Sequence, residues 1–121
     1  MCMRVEKVKY AGKGGVPVWK VFESSGKGSP LRGPWQSITL KSVTANKARK
    51  SPGYHCFLHK DNAKIYARYL LTSVFTSEYF LPKYRIVRLV IPFRKRYSLG
   101  TVMVGRFRSM LPCAASMFLS K

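Results

Sequence analysis

The clearest pattern in the chain is a short apolar run that leads into an amphipathic segment. Pro52-Gly53 marks a turn, and residues 54–58 then form an apolar-aromatic run of strand length. Asp61 is suited to cap a helix, because its carboxylate can accept backbone N–H groups of the first turn. Beyond it, apolar residues recur at the spacing of one helical face, at Ala63, Tyr66, Ala67, Leu70, Leu71 and Val74. This pattern predicts one main amphipathic helix.

Elsewhere the hydrophobic pattern predicts strands separated by polar loops. Residues 16–22 and 84–91 are rich in β-branched and aromatic side chains, as strands are. The second run is apolar on both alternations, which predicts a central strand covered on two sides. Weaker patterns predict strands over 3–10, 35–44, 101–104 and 115–119. Glycine, serine, proline and basic residues predict flexible loops near 11–15, 23–34 and 44–52.

These elements predict an α+β fold, in which the main helix packs on a mixed or antiparallel β-sheet. A length of 121 residues leaves room for one core, so a single small domain is expected over residues 1–121. No apolar run reaches the roughly 18 residues of a membrane span. Three widely spaced cysteines and an N-terminus without an apolar signal core indicate reduced thiols and a cytoplasmic location.

The charge balance narrows the choice of partner. Twenty-three Lys and Arg residues face only four acids, which gives a formal net charge of +19. Such a chain attracts phosphate polymers, so nucleic acid or a nucleoprotein complex is the expected partner. An acidic protein surface is a further possibility. An anionic membrane is less favoured, because the basic residues do not lie along one amphipathic helix with a bulky apolar face.

Few side chains are suited to catalysis or metal binding. The four acids are scattered along the chain, which argues against two-metal chemistry. Cys56 and His59 have a Cys-x-x-His spacing, but a zinc site needs four ligands. His55 adjoins Cys56, yet adjacent strand residues point to opposite faces. We therefore predict no catalytic residue, no metal and no cofactor. Cys56 is expected to be a buried thiol, and His55 a hydrogen-bonded residue at the edge of the core.

The basic residues of the C-terminal half are the best candidates for a binding site. Residues 83–108 contain eight of them, no acid, and several interleaved aromatic side chains. Arginine pairs with phosphates, and aromatic faces stack on bases. The predicted contacts are Arg94, Lys95, Arg96, Tyr97, Arg106 and Arg108, assisted by Lys47, Arg49 and Lys50. Arg88 interrupts an apolar strand, so it either reaches the sheet surface or serves a ligand.

One motif resembles a known group of proteins. Gly53-Tyr54-His55-Cys56-Phe57, followed by Asn62-Ala63 and Tyr66-Ala67, is similar to small uncharacterised phage and bacterial proteins. These carry Gly-aromatic-His-x-Phe on a strand, then Asp-Ala and Tyr-Ala on a helix; here Asn62 replaces the aspartate. The resemblance brings no activity with it, but it implies a phage or mobile-element context. There, a small basic non-enzymatic protein could act in the host cytoplasm as an anti-defence, anti-CRISPR-like inhibitor.

Two alternatives stay open at this point. The chain could be a small phage-type enzyme or toxin that acts on a nucleotide through His55, Cys56 or Arg88 in a pocket. It could instead be a structural phage protein that contacts packaged nucleic acid. A cleft that gathers those three side chains with an acid would favour the enzyme, whereas copurification with virions would favour the structural protein.

Overall fold

A computed structural model describes residues 3–23, 39–45, 52–71, 84–104 and 109–121. Over these residues the chain is mostly β. In chain order the elements are β1 (Arg4–Tyr10), β2 (Val16–Glu23), α1 (Leu40–Ala45), β3 (Tyr54–Cys56), α2 (Lys60–Leu71), β4 (Tyr84–Ile91), β5 (Arg96–Val104) and β6 (Ser109–Ser116). Among the described residues, no helix is both long enough and apolar enough to cross a bilayer.

The strands form two antiparallel sheets. One has four strands in the order β1-β5-β6-β3, and the other pairs β2 with β4. The prediction of an α+β fold with one main helix on a sheet is therefore wrong. Both faces of β2 carry apolar residues, and they are covered differently. One face packs into a core with residues of the larger sheet, and the other packs against α2.

Within the described residues, two backbone bridges connect the sheets. Trp19 and Phe57 exchange N–H···O bonds of 2.7 and 2.8 Å, and Val90 and Ser120 exchange bonds of 2.8 and 2.9 Å. Phe57 directly follows β3, and Ser120 lies just beyond β6. Hydrogen bonding therefore runs from β3 to β2, on to β4, and back to the segment after β6. The buried residues within this circuit include Val18, Phe22, Cys56, Leu89, Ile91, Ala114 and Leu119.

A second core cluster packs against α2. Ala63 and Tyr66 are fully buried there with Phe57 and Val21. The rings of Phe57 and Tyr66 meet at a tilt, with centroids 5.6 Å apart. Burial of each such aromatic side chain contributes about 2–3 kcal/mol. The predicted helical face containing Ala63, Tyr66 and Ala67 is thus confirmed as the packed face.

Helix boundaries differ from the prediction at two points. Since α2 begins at Lys60, Asp61 lies inside the first turn instead of capping it, and the carbonyl of His59 accepts the N–H of Asn62 at 3.1 Å. Part of the strand predicted over 35–44 is α1, and residues 35–38 lie outside the described residues. Thr39 explains this helix, because its Oγ1 accepts the N–H of Ser42 at 3.2 Å and caps the first turn.

The C-terminal strands also differ from the prediction. Among the described residues, β4 is not central: it pairs with β2 along one side and meets Ser120 at a single bridge. β5 begins at Arg96, so the strand predicted over 101–104 is its second half, and β6 replaces the strand predicted over 115–119. The pattern missed the first half of β5 because its basic and small residues, Arg96, Ser98 and Gly100, are typical of loops. Gly100 is required there, since a side chain would collide with the backbone carbonyl of Arg4.

Candidate nucleic-acid interface

Two basic turns lie side by side at one end of the molecule. The N–H of Ala11, in the β1–β2 turn, donates to the carbonyl of Lys95 at 2.9 Å. The N–H of Arg94, in the β4–β5 turn, donates to the carbonyl of Ala11, also at 2.9 Å. The pair of bonds joins the turn that contains Lys13 to the turn that contains Arg94 and Lys95. We name this group the hairpin-end cluster: Lys13, Arg94, Lys95 and Arg96.

Arg94 holds a backbone conformation that side chains rarely adopt. Its φ is 69°, and no other described non-glycine residue has a positive φ. It occupies the third position of a turn closed by the Lys95 N–H, which donates to the Pro92 carbonyl at 3.0 Å. Glycine is usual at this position of a turn with a positive φ. An arginine there costs about 1–2 kcal/mol, and such strain is characteristic of functional positions.

Aromatic rings accompany the cluster. The Arg94 guanidinium lies 5.1 Å from the centroid of the Phe93 ring, and the Lys95 ammonium lies 4.4 Å from that of Phe118. Phe93 is 46% exposed, and Tyr10, opposite Arg96 on the neighbouring strand, is 70% exposed. Cation–π contacts of this kind orient the charged groups. The exposed faces of Phe93 and Tyr10 are of the type on which unpaired bases stack.

The chain segments that form the cluster carry one sign of charge. No acidic residue lies between Lys7 and Phe22, and none follows Glu78. All four members of the cluster are exposed to solvent. Because exposed charges lose little hydration, they contribute little to folding and can bind a mobile anion. The end of the molecule is therefore chemically matched to a chain of phosphates.

The predicted binding residues lie in different parts of the structure. Arg94, Lys95 and Arg96 come together in the hairpin-end cluster. Tyr97 is half-buried and packs against the core between the sheets, so its ring is not a free stacking platform. Arg88 is exposed in mid-strand opposite Trp19, away from the turns, so it reaches the sheet surface. The remaining predicted contacts lie outside the described residues: Lys47, Arg49, Lys50, Arg106 and Arg108.

Lys13 and Tyr10 are not among the contacts that the sequence pattern predicts. Lys13 stands in Ala-Gly-Lys-Gly-Gly, a segment that the pattern marks only as a turn. Its turn is joined to the turn of Arg94 by two backbone hydrogen bonds of Ala11, and backbone groups leave no signature in residue type. Positive φ angles at Gly14 and Gly15 shape this turn, and glycine is the residue that adopts them without strain.

A second group of ionisable side chains lies inside the protein. Lys20 is fully buried, and its Nζ donates to the backbone carbonyl of His55 at 2.5 Å. Burial lowers the pKa of Lys20 to about 8, although Cys56 and Cys113 oppose the change. Burial, together with the charge of Lys20, lowers the pKa of His55 to about 4. His55 Nδ1 has no hydrogen-bond partner in the described part of the chain, so the prediction of a hydrogen-bonded histidine is wrong for this nitrogen.

The two described cysteines are free and inert. Cys113 Sγ lies 3.2 Å from the carbonyl oxygen of Cys56, and Cys56 Sγ lies 3.6 Å from that of Ala114. Burial raises the pKa of both thiols, that of Cys113 to about 12. A protonated, buried thiol is a poor nucleophile, and the prediction of Cys56 as a buried thiol is confirmed. Within residues 3–23, 39–45, 52–71, 84–104 and 109–121, no three His, Cys, Asp or Glu side chains group to hold a metal ion.

Comparison of the chain with protein-family models, with curated protein sequences and with solved structures finds no match.

Proposed function

We propose that this protein binds single-stranded nucleic acid through the hairpin-end cluster. The observation that carries the proposal is the pair of hydrogen bonds between Ala11 and residues 94–95, which brings two basic turns together. The net charge of +19 supports it, because a protein with this charge attracts polyanions over long distances. The strained backbone of Arg94 supports it further, since an arginine persists where glycine would be more stable.

The cluster suggests how a single strand would be held. Lys13, Arg94, Lys95 and Arg96 would contact successive phosphates, and the backbone would follow the line of the two turns. Phe93 and Tyr10 would stack on unpaired bases, which a duplex does not offer. Stacking accepts every base, so we expect little preference for base sequence. The proposed role is binding without catalysis, because His55 and Cys56 are buried and burial keeps the Cys56 thiol protonated, which makes it a poor nucleophile.

The resemblance to small phage and bacterial proteins supports a specific setting for this activity. In a host cell, a compact basic protein could inhibit a defence complex by occupying the path of its nucleic acid. The same chemistry would serve a phage protein that contacts packaged nucleic acid. Nucleic-acid binding is common to both roles, so it is the property to test first.

The test is fluorescence anisotropy with labelled single-stranded DNA, single-stranded RNA and duplex DNA. The site variant replaces Arg94, Lys95 and Arg96 by Glu. The control variant replaces three exposed helical lysines by Glu and so changes the net charge equally: Lys41, Lys60 and Lys64. Each protein is titrated at salt concentrations from about 50 to about 200 mM, so that the slope of log affinity against log salt is obtained.

The wild-type protein should bind single strands more tightly than duplex. The site variant should lose at least about tenfold in affinity, and its salt slope should fall by about 2, because three phosphate contacts contribute roughly 0.7 each. The control variant should keep most of the wild-type slope. Equal losses in the two variants would show that net charge, and not the hairpin-end cluster, causes binding. Absence of binding to every polyanion at low salt would refute the proposal.

A further inference from the structure

The side chains of β1 are divided between a basic face and an apolar face, because its pairing with β5 is irregular. Along β1 the sequence Arg-Val-Glu-Lys-Val-Lys-Tyr does not alternate cleanly. Its register against β5 shifts between Val5 and Lys7, so Glu6 is the extra residue of a bulge. The bulge reverses the alternation of the side chains that follow it.

Directly opposite residues of paired strands share a sheet face, so the register assigns each β1 side chain to a side. Arg4, Lys7 and Lys9 stand opposite Thr101, Leu99 and Tyr97, which lie on one face of β5. Val5, Val8 and Tyr10 stand opposite Gly100, Ser98 and Arg96, which lie on the other face. The three basic residues therefore form one stripe, and the three apolar or aromatic residues form a second stripe behind it.

β1 is also open at its edge. It is the terminal strand of the four-stranded sheet, and no described strand pairs with its outer side. All seven of its residues are exposed, including Val5 at 44% and Val8 at 40%. An edge strand with free N–H and C=O groups is a template for another strand, and the lysines and the bulge of β1 protect it against pairing with an unmatched strand. Here the strand is long and has apolar side chains on one face, so it is suited to strand addition.

We propose that β1 is a docking edge for an acidic, extended segment of another protein, which adds to the sheet as a fifth strand. The occupant follows from charge complementarity. A segment that alternates acidic and apolar residues would place its carboxylates opposite Arg4, Lys7 and Lys9, and its apolar side chains beside Val5 and Val8. Each matched cross-strand pair stabilises the contact, and the backbone hydrogen bonds add to it.

Other occupants fit the edge less well. A second copy of this chain, added antiparallel across the edge, would place basic side chains opposite basic side chains, which is unfavourable. Two chains of charge +19 also repel each other at a distance. A nucleic acid could contact the basic stripe, but it would use neither the backbone edge nor Val5 and Val8.

The test uses the full chain and four labelled heptapeptides in fluorescence anisotropy. The first peptide alternates Glu and Val, and the second has the same composition with its residues grouped in two blocks. The other two carry the alternating sequence with backbone N-methyl groups at either the odd or the even positions. In a strand pair only alternate residues direct their N–H groups towards the partner. One N-methylated peptide should therefore lose binding, while the other keeps it.

The alternating peptide should bind at least about tenfold more tightly than the block peptide, since matched pairs across the strands add to backbone pairing. A variant with Arg4, Lys7 and Lys9 replaced by Glu should lose its affinity for the alternating Glu-Val peptide. It should bind an alternating Lys-Val peptide instead. The variant with Arg94, Lys95 and Arg96 replaced by Glu should keep the alternating peptide. Peptide binding by this variant would support strand docking even if the protein did not bind nucleic acid.

Three results would overturn the docking proposal. Equal binding of the alternating and block peptides would show electrostatic attraction without strand pairing. A stable dimer that the β1 variant abolishes would show that a second copy occupies the edge. Loss of single-stranded DNA binding in the β1 variant, with no peptide bound by the wild-type protein, would assign β1 to the nucleic-acid interface.

Discussion

Replacing Lys20 by Met tests the most unusual feature of the core. Lys20 lies at a position of β2 where the neighbouring inward residues are Val18 and Phe22, and it is fully buried. Methionine has a similar length and shape without the charge, so the substitution changes electrostatics more than packing. It also removes the hydrogen bond to the His55 carbonyl, which costs about 1–3 kcal/mol if that oxygen gains no other donor.

The expected pH dependence follows from the two pKa values of Lys20. Its ordinary value is 10.5, and burial lowers its pKa in the folded protein to about 8. Between these values the unfolded chain binds more protons at this residue, so the free energy of unfolding rises with pH by about 1.4 kcal/mol per unit. Below about pH 8 both states are protonated, and the folded protein bears the full cost of the buried ammonium, about 3 kcal/mol.

The thiols change stability in the opposite direction. Burial raises the pKa of Cys113 to about 12 from an ordinary 9.0. Above pH 9 the unfolded thiol therefore releases its proton while the folded thiol keeps it, which lowers the free energy of unfolding. Both cysteines remain in the Lys20→Met variant. The difference between wild type and variant therefore isolates the contribution of Lys20.

Urea unfolding, followed by tryptophan fluorescence, measures this difference. From about pH 7 to about pH 9.5 the wild-type protein should gain about 2 kcal/mol relative to Lys20→Met. A Lys41→Met variant, which changes an exposed lysine of α1, should show no comparable gain. If Lys20→Met and Lys41→Met give the same flat difference across this range, Lys20 is not a buried amine and the reasoning is wrong.

Two further predictions concern backbone geometry. Gly53→Ala should lower the free energy of unfolding by about 3 kcal/mol in thermal unfolding, because φ is 105° there and a Cβ would collide with the Ser116 carbonyl. The control Gly12→Ala should change little, because the space around Gly12 is open. Arg94→Gly should raise Tm by several degrees, since about 1 kcal/mol of strain is relieved, while affinity for single-stranded DNA falls; a lower Tm would contradict the strained turn.

Local patterns predicted the elements whose burial follows a simple period. β2 and β4 match the two strongest strand patterns, and the packed face of α2 matches its helical period. The division into two sheets was not predictable in this way. It depends on the Trp19–Phe57 and Val90–Ser120 bridges, which join backbone groups far apart in the chain. The packing of the whole core determines such pairings, and the residue pattern of one segment does not predict them.

The candidate interface shows the same limit. The basic composition near residues 94–96 is visible in the sequence, and so is the lysine among the glycines at position 13. What joins their turns is a pair of hydrogen bonds made by the backbone N–H and C=O of Ala11, which any residue except proline could supply. Likewise, the two stripes of β1 exist only because Glu6 is bulged against β5. Strict alternation along the sequence of β1, without the bulge, would place basic and apolar side chains on the same face.

Lys20 and the surface charge lower stability for different reasons, and only one of them can be relieved by a ligand. A domain of this size has about 5–15 kcal/mol of stability, so a buried ammonium costing about 3 kcal/mol removes a substantial part. Self-repulsion at a net charge of +19 lowers stability further. Phosphates bound at the hairpin-end cluster would reduce that repulsion. They would not reach Lys20, which is enclosed between the sheets and hydrogen-bonded to β3. A bound polyanion should therefore stabilise the fold while the pH dependence due to Lys20 persists.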